Sequence, residues 1–305
     1  MDPIREKILK PSKETRQDFV GKTLSYASIF LIVGVVLAIF LFVASKGIAT
    51  FTQNKASLVE FLTGSEWNPG ANGPNGRPLV GALPMILGSF GVTLLAALFA
   101  TPFAIGTALY MTELSSKRSQ KFMQSVIELL VGIPSVVYGF IGLTVVVPFV
   151  RDHFGGSGYG ILSGSFVLFV MVLQTITSMT VDSLRAVPKY YKSASLALGA
   201  TEWQTIYRVL LRAALPGIMT AIVFGMARAF GEALAVQMVI GNATLLPESL
   251  LAPASTLTSV LTMGIGNTVM GTVSNNALWS LALVLLLMSL FFNIAVRFIS
   301  RKGKM

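Results

Sequence analysis

The sequence predicts an all-α integral membrane protein with six transmembrane helices. Hydrophobic residues make up 53% of the 305-residue chain and charged residues only 12%, and the mean hydropathy is +0.73. Soluble domains carry about 25% charged residues. Several apolar runs reach the roughly 20 residues that a helix needs to span a bilayer. They lack the regular ten-residue alternation of a β-barrel, so helices are the spanning structure that fits.

The apolar runs predict the positions of the six helices. The spans are expected at residues 24–43, 79–111, 122–150, 161–181, 218–240 and 278–299. The segment before the first span carries six basic residues and no apolar signal-peptide core. We therefore expect an uncleaved chain whose N-terminus stays on the cytosolic side.

The distribution of basic residues predicts the orientation. Six spans place both termini on one side, and 18 of the 23 Lys and Arg residues fall in the termini, the 113–121 loop and the 182–215 segment. The opposite loops hold only Lys46, Lys55, Arg77 and Arg151. Because cytoplasmic loops are enriched in Lys and Arg, both termini are predicted to be cytosolic. Anionic lipid headgroups are a sufficient partner for the net charge of +10, so nucleic-acid binding is not expected.

This topology divides the chain into segments. They are a cytosolic tail at 1–23, a first transmembrane helix at 24–47, an extracytoplasmic loop at 48–78, a transmembrane domain at 79–300 with a cytosolic loop at 182–216, and a cytosolic tail at 301–305. The 48–78 loop is rich in Gly, Pro and Asn, which favour turns, and has an amphipathic beginning. Residues 242–276 are rich in Ser and Thr with one charge, so both a re-entrant and an interfacial segment fit.

The cytosolic loop carries a helical pattern of its own. Apolar residues recur at spacings near three and four on both sides of Gly199-Ala200-Thr201, which predicts two short amphipathic helices meeting at a glycine turn. Thr201 has the form of an N-cap whose partner, Gln204, follows three residues later. From periodicity alone, helices that lie on lipid headgroups fit equally well.

Two charges lie inside the predicted fifth span. Arg228 and Glu232 are four residues apart, so on a helix they share one face and can reach each other. An arginine at mid-membrane costs about 2.5–3.5 kcal/mol on insertion scales, so it is expected to face the helix bundle or a water-filled cavity. Both a structural ion pair and a pair that contacts a passing anion are consistent with this placement.

Several kinds of site are not expected. The chain has no cysteine, which excludes disulfides and thiolate metal ligands, and the lone His153 is predicted to be a loop histidine without a metal. No Gly-x-x-x-x-Gly-Lys-Ser/Thr loop is present to hold the phosphates of ATP. We therefore expect no directly bound cofactor and no enzymatic activity of this chain.

The cytosolic loop resembles a known sequence motif. SASLALGATEWQTIYRVLLRAALPGI is similar to the EAA loop of ABC-importer permeases, in which a short cytosolic helix docks into a cleft of the ATPase subunit. The sequence departs from the motif at Ser193, where the family has Glu, at Ser195, where it has Ala, and at Arg212, where Pro is frequent. The resemblance assigns ATPase coupling to Ser193, Ala194, Ser195, Gly199, Ala200, Thr201 and Pro216.

A second resemblance covers most of residues 58–300. GMARAFGEALAVQMVIGN is similar to the fifth-helix signature of phosphate-importer permeases, and FLTGSEWNP with GALPMILGSFGVTLLAALFATPFAIGTALYMTE resembles the PstC-type subunit of these importers. This implies a type I ABC-importer (MetI-like) permease fold in a bacterial inner membrane. It also implies a PstA-like second permease, two PstB-like ATPases that bind ATP and Mg²⁺, and an extracytoplasmic PstS-like phosphate-binding protein.

The resemblance also implies roles for the two buried charges. A guanidinium presents a fork of donors matched to phosphate oxygens, so Arg228 is expected to contact the passing anion. Glu232 would tune or gate it by accepting a hydrogen bond from a protonated phosphate. Motion of the 190–212 helices would reach the fifth span through Pro216. A permease for another oxyanion or solute, and an ATP-independent carrier or channel, are the alternatives.

Overall fold

The computed structural model describes residues 13–302, with side chains described for 16–299. Within that range six helices are long and apolar enough to cross a membrane, as predicted: Arg16–Thr52, Leu83–Leu114, Ser135–Phe154, Ile161–Arg185, Glu202–Phe230 and Val273–Ile299. In chain order the elements are α1 (Lys13–Thr52), α2 (Leu58–Thr63), β1 (Trp67–Asn72), β2 (Pro78–Val80), α3 (Leu83–Leu109, extended by a π-helical turn at Tyr110–Leu114), α4 (Lys117–Gly132), α5 (Ser135–Phe154), α6 (Ile161–Arg185), α7 (Lys189–Ala197), α8 (Glu202–Phe230), α9 (Leu234–Val239), α10 (Leu257–Gly264) and α11 (Val273–Lys302).

The chain divides into two units, Met1–Lys46 and Gly47–Met305. The first unit consists, in its described part, of α1, which begins at Lys13 and therefore inside the predicted cytosolic tail. Residues 1–12 of that tail lie outside the described residues. Apolar side chains of this helix such as Phe30 are exposed, as expected of a helix that faces lipid.

Helix α6 forms the centre of the second unit, packed against α3 and α8. Small residues let the helices approach closely, as in other membrane helix pairs. A Cβ on Gly225 of α8 would lie 2.8 Å from Ile176 Cγ1, and one on Gly217 would lie 2.4 Å from Ser183 Oγ. On α3 the corresponding surface is a stripe of fully buried alanines: Ala96, Ala100, Ala104.

The predicted third span at 122–150 is wrong, because two helices occupy it. Helix α4 ends at Gly132 and α5 starts at Ser135. Pro134 lies between them, and proline disfavours the helical conformation for the residue before it. The Tyr138 hydroxyl donates a 2.8 Å hydrogen bond to the Leu130 carbonyl and so closes the break. The spanning helix is α5, and α4 precedes it as a largely exposed amphipathic helix.

The loop at 48–78 contains more regular structure than predicted. Strands β1 and β2 form an antiparallel hairpin in which Trp67 pairs with Val80. The 242–276 segment folds into the interior, where Ser255 and Leu257 are fully buried. The Leu257 amide donates a 2.9 Å hydrogen bond to Ser89 Oγ of α3. This burial agrees with the re-entrant alternative, since irregular backbone at membrane depth must be covered by protein.

Helix α8 differs from the prediction at both of its ends. The second short cytosolic helix and the fifth span form one helix, because Pro216 is accommodated inside α8. The Pro216 carbonyl accepts a 2.8 Å hydrogen bond from Thr220 Oγ1. At the other end α8 stops at Phe230, so the predicted span at 218–240 is broken and α9 continues separately.

Candidate solute-path and coupling sites

Arg228 lies in the last turn of α8 and reaches the neighbouring helix α6. Its Nη1 donates a 2.7 Å hydrogen bond to Thr175 Oγ1. None of the ion pairs between described side chains involves Arg228. The side chain is exposed at the surface of this chain. For a charge inside an apolar helix, exposure indicates a water-filled cavity or a polar partner.

Glu232 does not share a helical face with Arg228, so that prediction is wrong. Helix α8 ends at Phe230, and Gly231, a poor helix former, follows. The Glu232 carboxylate turns to α9, where Oε1 accepts a 3.3 Å hydrogen bond from the Ala235 amide. Thr258 Oγ1 donates a 2.8 Å hydrogen bond to the Glu232 carbonyl, which fixes the break.

A small cavity next to Glu232 is lined by hydroxyl groups from distant parts of the chain. Its polar lining consists of Ser89 and Thr93 on α3 and Thr256 and Thr258 at the start of α10. All four side chains are buried. The sequence analysis did not select these residues, because Ser and Thr are common in membrane helices and only the fold brings these together.

The two short helices predicted on either side of Gly199 meet as the sequence predicts. Helix α7 ends before a turn in which Gly199 has φ +83, a conformation that favours glycine. Thr201 Oγ1 accepts from the Gln204 amide at 3.2 Å, and Gln204 Oε1 accepts from the Thr201 amide at 3.0 Å. This reciprocal pair is the predicted capping box, and it starts α8.

The remaining predicted coupling residues occupy different environments. Ser193 and Ala194 are exposed on α7, whereas Ser195 faces α8 and its Oγ lies 2.9 Å from Thr205 Oγ1. The Ala200 amide donates a 3.2 Å hydrogen bond to the Ser195 carbonyl. Ser195 thus joins α7 to α8 inside this chain, while Ser193 and Ala194 remain accessible to a partner.

An apolar patch surrounds the glycine turn. Leu198 is 90% exposed, Trp203 is 65% exposed, and Tyr190 and Tyr207 are also exposed. The rings of Tyr190 and Tyr191 stack with centroids 4.7 Å apart, and a side-chain hydrogen bond with Tyr191 raises the pKa of Tyr190. Large apolar side chains exposed on both sides of one turn indicate an interaction surface.

The sequence is similar to known membrane transport proteins. Residues 100–304 match the family model described as binding-protein-dependent transport system inner membrane component. The chain is 48% identical over 303 residues to the probable ABC transporter permease protein YqgH of Bacillus subtilis, which covers 99% of this chain and 97% of that protein. It is 32% identical over 275 residues to the phosphate transport system permease protein PstC of Xylella fastidiosa, with 83% and 82% covered.

Solved structures share the fold. A chain of the bacterial ABC transporter that imports the acidic polysaccharide alginate matches with a TM-score of 0.62 at 15% identity, covering 94% of this chain and 98% of that chain. A chain of the MetNI methionine ABC transporter matches with a TM-score of 0.55 at 20% identity, covering 71% and 93%. The predicted MetI-like fold is confirmed. The chain belongs to the family of binding-protein-dependent transport system inner membrane components, and it is a multi-pass permease subunit of an ABC importer.

Proposed function

We propose that this chain is the PstC-type permease of an ATP-driven phosphate importer. It forms the translocation path together with a PstA-like second permease and receives phosphate from an extracytoplasmic PstS-like binding protein. Two cytosolic PstB-like subunits bind ATP and Mg²⁺ and hydrolyse the nucleotide. Support comes from the relatives named for phosphate transport and from the two sites described above.

The arrangement of Arg228 is the observation that carries the proposal. A guanidinium has five N–H donors, and the hydrogen bonds between described residues use one of them, to Thr175. No carboxylate among the described side chains is paired with Arg228, so the exposed guanidinium keeps a bidentate edge for a ligand. Phosphate oxygens fit that edge with charge-assisted hydrogen bonds, which are about twice as strong as neutral ones.

Glu232 serves a different step in this proposal. Its carboxylate is half-buried beside the hydroxyl-lined cavity rather than paired with Arg228. Hydrogen phosphate carries an O–H that a carboxylate can accept, whereas sulfate lacks this proton at neutral pH and would meet repulsion. We therefore assign Glu232 to gating or selectivity and Arg228 to attraction of the anion.

The cytosolic loop at 190–212 is assigned to ATPase coupling. Its exposed apolar patch at Leu198 and Trp203 suits a cleft in a soluble partner, and the strongly basic cytosolic loops agree with both termini in the cytosol. Helix α8 runs without interruption from Glu202 to Phe230. Motion at the docking surface therefore reaches Arg228 through one continuous helix.

Reconstitution of the assembled transporter in liposomes tests the solute. We expect ATP-dependent uptake of labelled phosphate that a tenfold excess of unlabelled phosphate removes and that the same excess of sulfate or molybdate leaves intact. Uptake of phosphate without ATP would favour the carrier or channel alternative. Strong inhibition by sulfate or molybdate, or no phosphate uptake by a complex that hydrolyses ATP, would favour an importer for another oxyanion or solute.

A further inference from the structure

Helix α7 has an unusual attachment to the rest of the protein. None of its nine residues is buried, so apolar packing does not determine where it sits. Two polar side-chain contacts do connect it to other helices. One is the Ser195 to Thr205 hydrogen bond to α8, and the other is an ion pair between Lys192 and Glu113 at the end of α3.

The Lys192 ion pair differs from the others between described side chains. Its Nζ lies 2.6 Å from Glu113 Oε2, with side chains that are 39% and 14% exposed. The remaining pairs, Lys22–Asp18, Arg77–Glu60 and Arg151–Asp152, have both partners at least half exposed. Exposed pairs contribute little because water and salt screen them. The Lys192 pair is more shielded and joins positions 79 residues apart in the chain.

Glu113, the partner of Lys192, lies where it can transmit motion to α3. Glu113 belongs to the π-helical turn Tyr110–Leu114 that extends α3, and α3 packs against the core helix α6. A displacement of α7 can therefore be transmitted to two other helices. It reaches α8 through Ser195 and the glycine turn, and it reaches α3 through Lys192 and Glu113.

We infer that Lys192 and Glu113 are positioning residues that couple α7 to α3 during transport. The ion pair makes the cytosolic ends of α3 and α8 follow the same movement of α7. The inference rests on the proposed coupling role of the loop but not on phosphate as the solute. Without the ion pair, the ATPase still docks to α7, but movement of α7 is transmitted to α8 and no longer to α3.

The test measures solute transported per ATP hydrolysed in the reconstituted complex. We expect Lys192→Met and Glu113→Gln each to lower this ratio about threefold, which corresponds to the lower end of the interaction free energies found between residues in contact. The charge exchange Glu113→Lys with Lys192→Glu should recover most of it. The control is Lys189→Met, which removes an exposed lysine of the same helix that has no ion pair, and it should keep the wild-type ratio. An assembly defect alone would lower the yield of complex without changing the ratio.

A second readout needs no solute. Because the chain has no cysteine, spin labels can be placed at Lys117→Cys and Lys189→Cys, two exposed positions flanking the pair. We expect one narrow distance distribution, which broadens with Lys192→Met and narrows again in the charge exchange.

Unchanged ratios and distances in the single variants would overturn the inference, as would a charge exchange no better than either single variant. If the wild type hydrolyses ATP but moves no phosphate, the proposed solute is wrong, and the spin-label distances still decide the role of the ion pair.

Discussion

The two ends of helix α8 differ in how they are held and in what they present. The N-terminal end starts at a capping box made by residues three apart and presents an exposed apolar patch around Leu198. The other end stops at Phe230, next to Arg228, and is held by contacts from distant helices such as the Thr258 bond to Glu232. One end is suited to bind a protein partner, and the other to contact a charged solute. The comparison suggests that a single helix carries two separable tasks.

Removal of the Arg228 charge at the C-terminal end of α8 should have the largest effect. We expect Arg228→Gln to lower phosphate uptake roughly 10- to 100-fold, because hydrogen bonds to charged groups contribute about 1.5–3 kcal/mol. The measurement is the initial uptake rate in liposomes at equal amounts of assembled complex. Arg185→Gln, which removes an exposed cytosolic arginine, should stay near the wild-type rate. Equal losses in the two variants would indicate a general effect of net charge.

Strain in the glycine turn should have the next largest effect. We expect Gly199→Val to lower transport per ATP about tenfold, because a side chain at φ +83 costs about 1–2 kcal/mol. No atom lies within 4 Å of a Cβ at this position, so the cost comes from the backbone and not from a clash. Gly199→Asn is the matched control, since Asn tolerates this conformation and should retain most of the coupling. A Val variant that couples as well as the Asn variant would contradict the role of the turn.

Loss of the N-cap should have a smaller effect at the same end. Thr201→Ala removes the acceptor for the Gln204 amide and costs about 1 kcal/mol, so transport per ATP should fall about fivefold. Thr201→Ser keeps the hydroxyl and should behave like the wild type. A Ser variant as impaired as the Ala variant would show that the methyl group, and not the cap, matters.

Removing a hydrogen bond that holds the break between α8 and α9 should have the smallest effect. Thr258→Val removes the hydrogen bond to the Glu232 carbonyl, which typically contributes about 1 kcal/mol. Uptake of phosphate should fall about threefold while binding of the ATPase subunits is unchanged. Thr262→Val on the same helix, which removes only a bond to the helix's own backbone, provides the comparison. Reduced ATPase binding in Thr258→Val alone would mean that the two ends are not separable.

The sequence predicts the N-terminal end of α8 well because the signals for it are local. Gly199, Thr201 and Gln204 lie within six residues of one another, and their conformations depend on backbone geometry and short-range hydrogen bonds. The number of spans is predictable for a similar reason, since bilayer thickness sets the length of each, whereas the positions of the third and fifth spans were not predicted correctly. The roles of Ser193, Ala194, Ser195 and Pro216 in ATPase coupling stay predictions.

The C-terminal end of α8 could not be predicted in the same way. The partners of Arg228 and Glu232 are Thr175 and Thr258, which lie 53 and 26 residues away, and neither has a distinctive local pattern. Gly231 was the one local sign that α8 ends there, but glycine is common inside membrane helices. The broken third span had a stronger sign in Pro134, which hydropathy alone does not weigh.

The most direct test of the two-task account is the amount of ATPase subunit that co-purifies with two variants of the membrane complex. Arg228→Gln should retain the wild-type amount while phosphate uptake is lost. Gly199→Val should retain less ATPase, and the complex that remains should transport less phosphate per ATP hydrolysed. Wild-type uptake by Arg228→Gln, or loss of the ATPase from that variant, would contradict the assignment of solute contact to one end of α8 and coupling to the other.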